Sequence, residues 1–532
     1  MKKEGGSVNL LCIRLRIPVE RDGMDAYARA AANILQIGEG DITVAKILSK
    51  SLDISDKEQF FYNLSMVVGI AGNFENTQNF PLYTEQIPAE RKITRMKDRP
   101  LVVGFGPAGM FAALALIDHG IKPLIFERGR KIEDRSIDVQ RFIQKKEIDP
   151  ESNIQFGEGG AGSYSDGKLF SRRDLNSSST NRVLQMLIKF GAPAEIGYIG
   201  KPHLGTDVLC SIVRNIRNYI LDRGGEIYYG AKMTDILTAE GAAFGIVVNG
   251  EQEYLSSHIY LALGHSARDT LAMLSGKGIA LEQRPISVGV RIEHPAETIN
   301  LWRYGNKYKD CRELGAATYS LNYTDRKIRR GVYTFCMCPG GEVINASSAQ
   351  GLLVVNGMSY SHRSSAFSNA ALVVSCHTDD YPSASPLAGI EFQKEIERKA
   401  FMAGQETWKV PAQNLMEFLG ERGSAGLHEN SYKMGAVPAD MKAIFPEFVV
   451  NALSAAFAQW KEKAPLFVSP HAVILGAETR TSSPVRITRN ATYESVTIKN
   501  IYPLGEGSGY TGGITSSAAD ALKAVELHVL GL

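Results

Sequence analysis

The sequence predicts a mixed fold, α/β plus α+β. It reads as a Rossmann-like nucleotide-binding domain of the ββα type, interrupted by an inserted antiparallel-sheet domain and preceded by a small α+β unit. Three observations carry this reading. Pro100 to Gly109 (PLVVGFGPAG) is a short apolar run ending in G-x-G-x-x-G. Met110 to Asp118 is apolar and rich in Ala and Leu, which reads as a helix. Lys122 to Glu127 (KPLIFE) is a second apolar run ending in an acid. Strand, glycine turn, helix, strand and acid, in that order, form the βαβ fingerprint for the ADP half of a dinucleotide.

Each part has a physical role. Gly104 permits the tight turn out of the strand, Gly106 lets backbone N–H groups approach a pyrophosphate, and Gly109 allows close packing of helix on sheet. Pro107 and Ala108 open the helix, whose free N–H groups and positive dipole end face the pyrophosphate. Glu127 is placed to accept hydrogen bonds from the adenosine ribose. Arg128 follows it directly, and Arg135 stands where it can reach the cofactor phosphates or make a surface salt bridge.

The chain has 532 residues, 44% of them hydrophobic, which suits several buried cores. A formal net charge of +2 points neither to nucleic acid nor to an anionic membrane surface. The densest basic run, Arg91 to Arg99, reads as a solvated linker. The six cysteines do not form a secreted disulfide framework, and no CxxC pair suggests zinc. Arg14 and Arg16 interrupt the first apolar stretch, so no signal-peptide core is expected. No run of 18 apolar residues suggests a membrane span. These features favour a cytoplasmic protein acting on a small molecule.

Residues 8–18 read as a strand, 24–36 as a helix, and 42–50 and 59–70 as strands, with a polar linker over 73–98. The expected organisation is an N-terminal domain with linker (1–95), the first part of the cofactor domain (99–284), a substrate or cap domain (285–475) and the returning cofactor segment (476–532). Helices are expected near 130–146, 180–190, 205–223, 389–403, 446–463 and 515–530. Residues 243–248 and 253–263 read as a hairpin that ends at Gly264.

The dinucleotide reads as FAD rather than NAD. Gly505-Glu506-Gly507 follows a short strand near the C-terminus, and Gly512-Gly513-Ile514 opens an Ala-rich helix. An acid there can hold the ribityl or phosphate end of a flavin, and the helix N-terminus can stabilise charge on the reduced ring. Ile259 to Gly264 reads as the strand that passes under the flavin. Gly157 to Gly162 also spells G-x-G-x-x-G, but no buried strand precedes it and no acid-ended strand follows. It reads as a loop whose bare backbone, Gly162 included, approaches the cofactor. Any NAD(P)H would then visit transiently as a donor.

These strings carry a family likeness. The chain resembles bacterial FAD-dependent dehydrogenases of the NAD(FAD)-utilising type. The match runs through Asn153 to Leu169 (NIQFGEGGAGSYSDGKL), Lys201 to Asp207 (KPHLGTD), Gly264 to Thr270 (GHSARDT) and Gly289 to His294 (GVRIEH). It continues through Tyr333 to Gly341 (YTFCMCPGG), Asn356 to Tyr360 (NGMSY), Glu478 to Arg486 (ETRTSSPVR) and Leu504 to Gly513 (LGEGSGYTGG). The resemblance implies an FAD-binding fold and no known substrate. The layout is also similar to the hydroxylase and geranylgeranyl-reductase side of the flavoproteins, where a mostly antiparallel sheet covers the flavin.

Cys336 and Cys338 are the sharpest hint of reactivity. Two apart on a predicted strand, they are expected on one face. The resemblance places an equivalent strand over the flavin, where a thiol could donate a proton, form an adduct or exchange electrons. The alternative is two inert packed thiols. His265 and Arg268 could touch the pyrophosphate or the flavin edge. Glu158, Asp166 and Lys168 could simply fix their loop. Arg291 with His294, and Arg480 with Arg486, could bind an anionic substrate or form salt bridges; His203 and His362 are further candidates. An apolar pocket would suit a reductase of an unsaturated, isoprenoid-like substrate, and an arginine-lined one a carboxylate oxidase. A flavoprotein acting only as a binding or redox-sensor module is the reading from another class.

Overall fold

The computed structural model describes residues 9–71, 74–84, 96, 98–169, 178–421 and 426–531. Most of the predicted basic run and part of the linker, residues 85–95 and 97, lie outside these. The chain forms two compact units. The first comprises residues 1–92, 193–202 and 304–307, and the second the remainder.

In the first unit, the strands Asn9–Pro18, Ile42–Asp53 and Phe61–Ile70 form an antiparallel sheet with the last strand in the middle. Alternation along the strands puts Leu11, Ile13, Leu15, Leu64, Met66 and Val68 on one face. They form a core with Tyr27, Ala31 and Leu35 of the helix Met24–Leu35. Part of the expected irregular linker instead joins this sheet. Cys12 N–H donates to the Pro81 carbonyl (2.8 Å) and Tyr83 N–H to the Leu10 carbonyl (2.9 Å).

The second unit has two large sheets. The first has five parallel strands, in the order Ile501–Pro503, Ile259–Leu261, Leu101–Val103, Leu124–Glu127, Glu226–Tyr229. Strands from three distant parts of the chain thus end side by side. The helix Pro107–Asp118 is buried over Ala108 to Ile117, so it is apolar all round rather than amphipathic. It packs against the helix Ile514–Leu530, whose small residues Ala518, Ala521 and Ala524 are fully buried.

The expected hairpin over 243–263 is different in the structure. Met233–Ala239, Ala242–Val248 and Gln252–Leu255 form a three-stranded antiparallel sheet, and Ile259–Leu261 belongs to the parallel sheet. Gly250 and Ser256 punctuate the run, and the 233–239 strand was not expected. The second large sheet has seven strands, in the order 322–325, 330–338, 367–376, 286–295, 473–478, 410–414, 436–438. All its neighbours are antiparallel except the last pair. Among the described residues, no helix is long and apolar enough to cross a membrane.

Candidate active site

The glycine turn behaves as its sequence requires. Gly104 has φ +97°, and its N–H donates to the Phe126 carbonyl at 2.8 Å. A Cβ on Gly109 would run into the Gly104 carbonyl oxygen. Gly106 caps the helix, Pro107 occupies its first turn, and Met110 N–H makes the first intrahelical bond to Gly106. The N–H groups of Ala108 and Gly109 belong to the free N-terminal set of such a helix.

Other predicted residues converge on this turn. A Cβ on Gly160 would lie 3.0 Å from Gly106 Cα, one on Gly162 would lie 3.1 Å from Ile514 Cγ1, and one on Gly505 would lie 2.7 Å from Ala108 Cβ. The Thr515 hydroxyl donates to the Leu169 carbonyl at 2.7 Å. The loop from Gly157 to Leu169 therefore runs from one helix N-terminus to the other. Gly512 and Gly513, at the start of the C-terminal helix, are exposed. Gly264 and Gly507 are in close apposition, and beside them His265 Nδ1 meets Glu506 Oε1 at 2.9 Å. His265 Nε2 is buried and has no partner among the described residues. Two free helix N-termini, bare backbone between them and an orphaned imidazole nitrogen suit a pyrophosphate-containing cofactor.

Glu127 is buried and accepts three backbone N–H groups, from Phe105 (2.8 Å), Gly129 (2.9 Å) and Gly157 (2.9 Å). A carboxylate offers about four acceptor positions, so roughly one is left for a ribose hydroxyl. Arg128 makes a bidentate pair with Asp269 (2.9 Å to each oxygen) and donates to Glu151 at 2.6 Å. Lys232 joins the same two acids. Arg128, Glu151 and Lys232, with Gly129, Gly230 and Asn249, line a depression of about 540 Å³ directly after the Glu127 strand. Its size and position suit the adenosine half of a dinucleotide.

Arg135 corrects an expectation. It makes no salt bridge among the described residues, and its side chain is not turned outward. It is fully buried and donates to five loop carbonyls, those of Asn153, Ile154, Gly157, Glu158 and Gly160, at 2.7–3.3 Å. It shapes the glycine loop from inside, and burial pushes its pKa down. Glu158 works from the other side. It accepts from Ile132 N–H (2.7 Å), Arg217 (2.8 Å) and the Tyr229 hydroxyl (2.8 Å).

The predicted anion-binding arginines are all paired with carboxylates. Arg291 is fully buried against Glu478 (2.8 Å) and also donates to Asn356 (2.8 Å) and Asn369 (2.7 Å). Arg268 and Arg480 share the buried Glu397, and Arg486 pairs with Glu282. Burial raises the Glu397 carboxyl, but the two arginines hold it well below the usual range. His294 Nε2–H donates to the Phe467 carbonyl (2.7 Å), and burial pushes the imidazole down to about 4.

The cysteine pair also departs from expectation. The strand 330–338 pairs Phe335 with Ala371 and then Cys338 with Asn369, so one extra residue is inserted. Cys336 sits in this bulge with φ +45°, and the alternation that would put both thiols on one face is lost. Cys338 is fully buried beneath Arg291 Nη1 (3.9 Å), and burial pushes its thiol up to about 12. A neutral, buried thiol is inert. Iodoacetamide at neutral pH is therefore expected to spare Cys338 in the folded protein and label it in the unfolded chain, as read by peptide mass spectrometry. Labelling of Cys338 in the folded protein would refute its burial.

Sequence reasoning named Asp166, Lys168 and His203 but missed Arg363 and Ser359, which join them. Buried Asp166 holds Lys168 (3.2 Å) and Arg363 (2.7 Å) and accepts from the Ser359 hydroxyl. Lys168 also donates to the Met337 carbonyl. His203 lies in the field of Arg363, Asp166 and Lys168, and burial pushes it down to about 4. His362 is exposed and stacks on Tyr360 at 5.9 Å. No local spacing links Arg363 to Asp166, which lies 197 positions away.

Glu293, two residues from Arg291, supplies a pH prediction. It is fully buried and accepts from Ser431 N–H (2.7 Å) and the Ser431 hydroxyl; burial raises it from 4.5 to about 7. An acid whose folded pKa exceeds its unfolded value stabilises the fold below the unfolded pKa. That contribution is lost as pH rises through the folded pKa. Stability should fall between pH 4.5 and about 7 by on the order of 3 kcal/mol from this group. Glu293→Gln should flatten that slope in urea titrations; an unchanged slope would refute the assignment.

The parallel sheet with its glycine turn defines a dinucleotide-binding protein. Residues 285–481 match the family described as FAD-dependent protein, C-terminal domain-like. An uncharacterised protein of Clostridium beijerinckii is 40% identical over 520 residues, covering 96% of each chain. The chain belongs to this family of FAD-dependent proteins. Among solved structures, a geranylgeranyl bacteriochlorophyll reductase-like protein from Thermoplasma acidophilum is 10% identical with a TM-score of 0.34, covering 81% of this chain and 77% of that one. CtdE in complex with FAD is 11% identical with a TM-score of 0.31, covering 81% and 82%. At such scores the fold rests on the strand order given above.

Proposed function

We propose that the protein is an FAD-dependent oxidoreductase, a dehydrogenase or reductase of a small molecule. Bound FAD would supply the redox chemistry, taking or giving hydride or electrons at its flavin N5 position. Residues 99–284 and 476–532 would form the cofactor half, and 285–475 the substrate half. Gly104, Gly106, Pro107, Ala108 and Gly109 would hold the pyrophosphate, with Glu127 and Arg128 at the adenosine end. Gly162, Gly264, Gly505, Glu506, Gly512, Gly513 and Ile514 would line the far end. Arg135 acts through the loop it shapes rather than on the cofactor.

One observation carries this reading: the loop 157–169 joins the N-terminus of the 107–118 helix to that of the 514–530 helix and then, through Lys168, reaches the Cys336–Cys338 strand end. A cofactor lying along this loop would present its reactive end to the seven-stranded sheet. Cys336, half-exposed in its bulge, is the member of the pair able to meet a substrate. NAD(P)H is taken as a transient donor, because the second glycine string forms a loop and short helical turn, not a second βαβ unit.

Anaerobic titration of the holoprotein with NADPH and NADH, followed by turnover assays with broad electron acceptors, tests this. Bleaching of the flavin with turnover is expected. Bound FAD with no turnover for any donor and acceptor pair would overturn the enzyme reading in favour of a binding or sensor module.

A further inference from the structure

The Lys168–Arg363 cluster differs from the other arginine sites. At Arg291, Arg486 and Arg128 the cations face equal numbers of carboxylates. At Glu397 two arginines share one acid, and Arg268 Nη2 and Arg480 Nη1 also donate to Gln393, Ser266 and Ser348. At Asp166 two cations also share one carboxylate, and Arg363 gives it Nε and Nη2, the edge away from Nη1.

The surroundings point outward from the fold. Both cations are partly exposed, Lys168 at 22% and Arg363 at 14%, over an acid at 0%. Tyr360, exposed at 41%, lies on the segment that carries Arg363, and Phe335, exposed at 37%, lies on the strand whose Met337 carbonyl accepts from Lys168. Cys336 and Arg363 both adopt left-handed backbone, φ +45° and +47°, a conformation that costs non-glycine residues free energy and gathers at functional positions. The cluster also adjoins the cofactor loop, since Lys168 precedes the Leu169 carbonyl that Thr515 holds.

We infer that Lys168 and Arg363 form a recognition site for a carboxylate, and that the substrate is a monocarboxylate with an apolar or aromatic body. Asp166 fixes both cations and cancels one charge, leaving one for a monoanion. The planar guanidinium matches a carboxylate, and exposed Tyr360, three residues before it, and exposed Phe335, two residues before Met337, offer apolar surface on the neighbouring segments. His203 lies beside the cations without adding charge at neutral pH, because burial and Arg363 hold its pKa near 4. Calling this carboxylate a substrate rests on the oxidoreductase reading; the binding itself does not.

Calorimetric titration of the purified protein with benzoate, and with benzamide as the neutral isostere, tests the site, while released FAD is quantified separately. Benzoate is expected to bind, and benzamide to bind about tenfold more weakly or worse, the scale of one lost charged hydrogen bond. Arg363→Gln and Lys168→Gln should each weaken benzoate comparably, and Arg363→Gln should leave FAD content unchanged. If one variant fails to fold, the benzoate–benzamide comparison and the other variant still decide. No benzoate binding, equal binding of benzamide, or benzoate binding indifferent to folded variants would overturn the inference. Charge-dependent binding in a protein that takes up no FAD would overturn the flavin reading and leave the carboxylate site standing.

Discussion

Gly109→Ala is expected to yield a protein that no longer retains FAD. The added methyl would run into the Gly104 carbonyl oxygen, with the Gly104 carbonyl carbon at 2.9 Å and Val102 Cγ1 at 3.4 Å. Nothing there is a flexible side-chain end, so the helix must move off the sheet. Overpacking of this kind costs roughly 1–3 kcal/mol. It also shifts the helix N-terminus, where the N–H groups must aim at the pyrophosphate. A misplaced binding group costs on the order of a hundredfold, and FAD affinity is expected to fall by that scale. Equilibrium titration of the apoprotein with FAD measures it. Gly276→Ala, where a Cβ meets nothing within 4 Å, should bind FAD normally. Equal affinity for the two variants would contradict the packing argument.

Arg135→Met carries the second large effect. It removes the donors for five loop carbonyls, in a stretch where Asn153, Ile154 and Glu158 are buried. Each buried acceptor left unpaired costs about 1–3 kcal/mol, and water can reach some of them after relaxation. A net loss of about 3–5 kcal/mol, the scale of a broken buried charged network, is expected in urea denaturation, together with loss of FAD. Arg135→Lys should not rescue either property. One ammonium has three donors on one atom, whereas the guanidinium spreads five over a fork. A folded Arg135→Lys protein with normal FAD binding would show that the loop holds its shape without the arginine.

The fingerprint was legible because it is local. Turn, helix, strand and acid fall within 28 residues of chain between Pro100 and Glu127, and each has its own composition. The loop reading of Gly157 to Gly162 succeeded for the same reason, since its flanks lack strand character. Side-chain partnerships were not legible. Arg291 with Glu478, Arg268 with Glu397 and Arg363 with Asp166 join residues more than 100 positions apart, and only the folded sheets bring them together. The bulge at Cys336 depends on the register of the partner strand, which no pattern within 330–338 encodes. The strand 233–239 escaped notice because its burial alternates only weakly, with Met233 and Ile236 alone buried.

The central claim is that the two helix N-termini and the loop between them hold FAD. The most direct measurement is to purify the protein, denature it and identify the released cofactor by chromatography and absorbance, with reconstitution of any apoprotein by FAD and FMN in parallel. Stoichiometric FAD is expected, with FMN failing to substitute because the adenosine depression beside Glu127 would go unfilled. A protein that releases no flavin and takes up neither cofactor would contradict it.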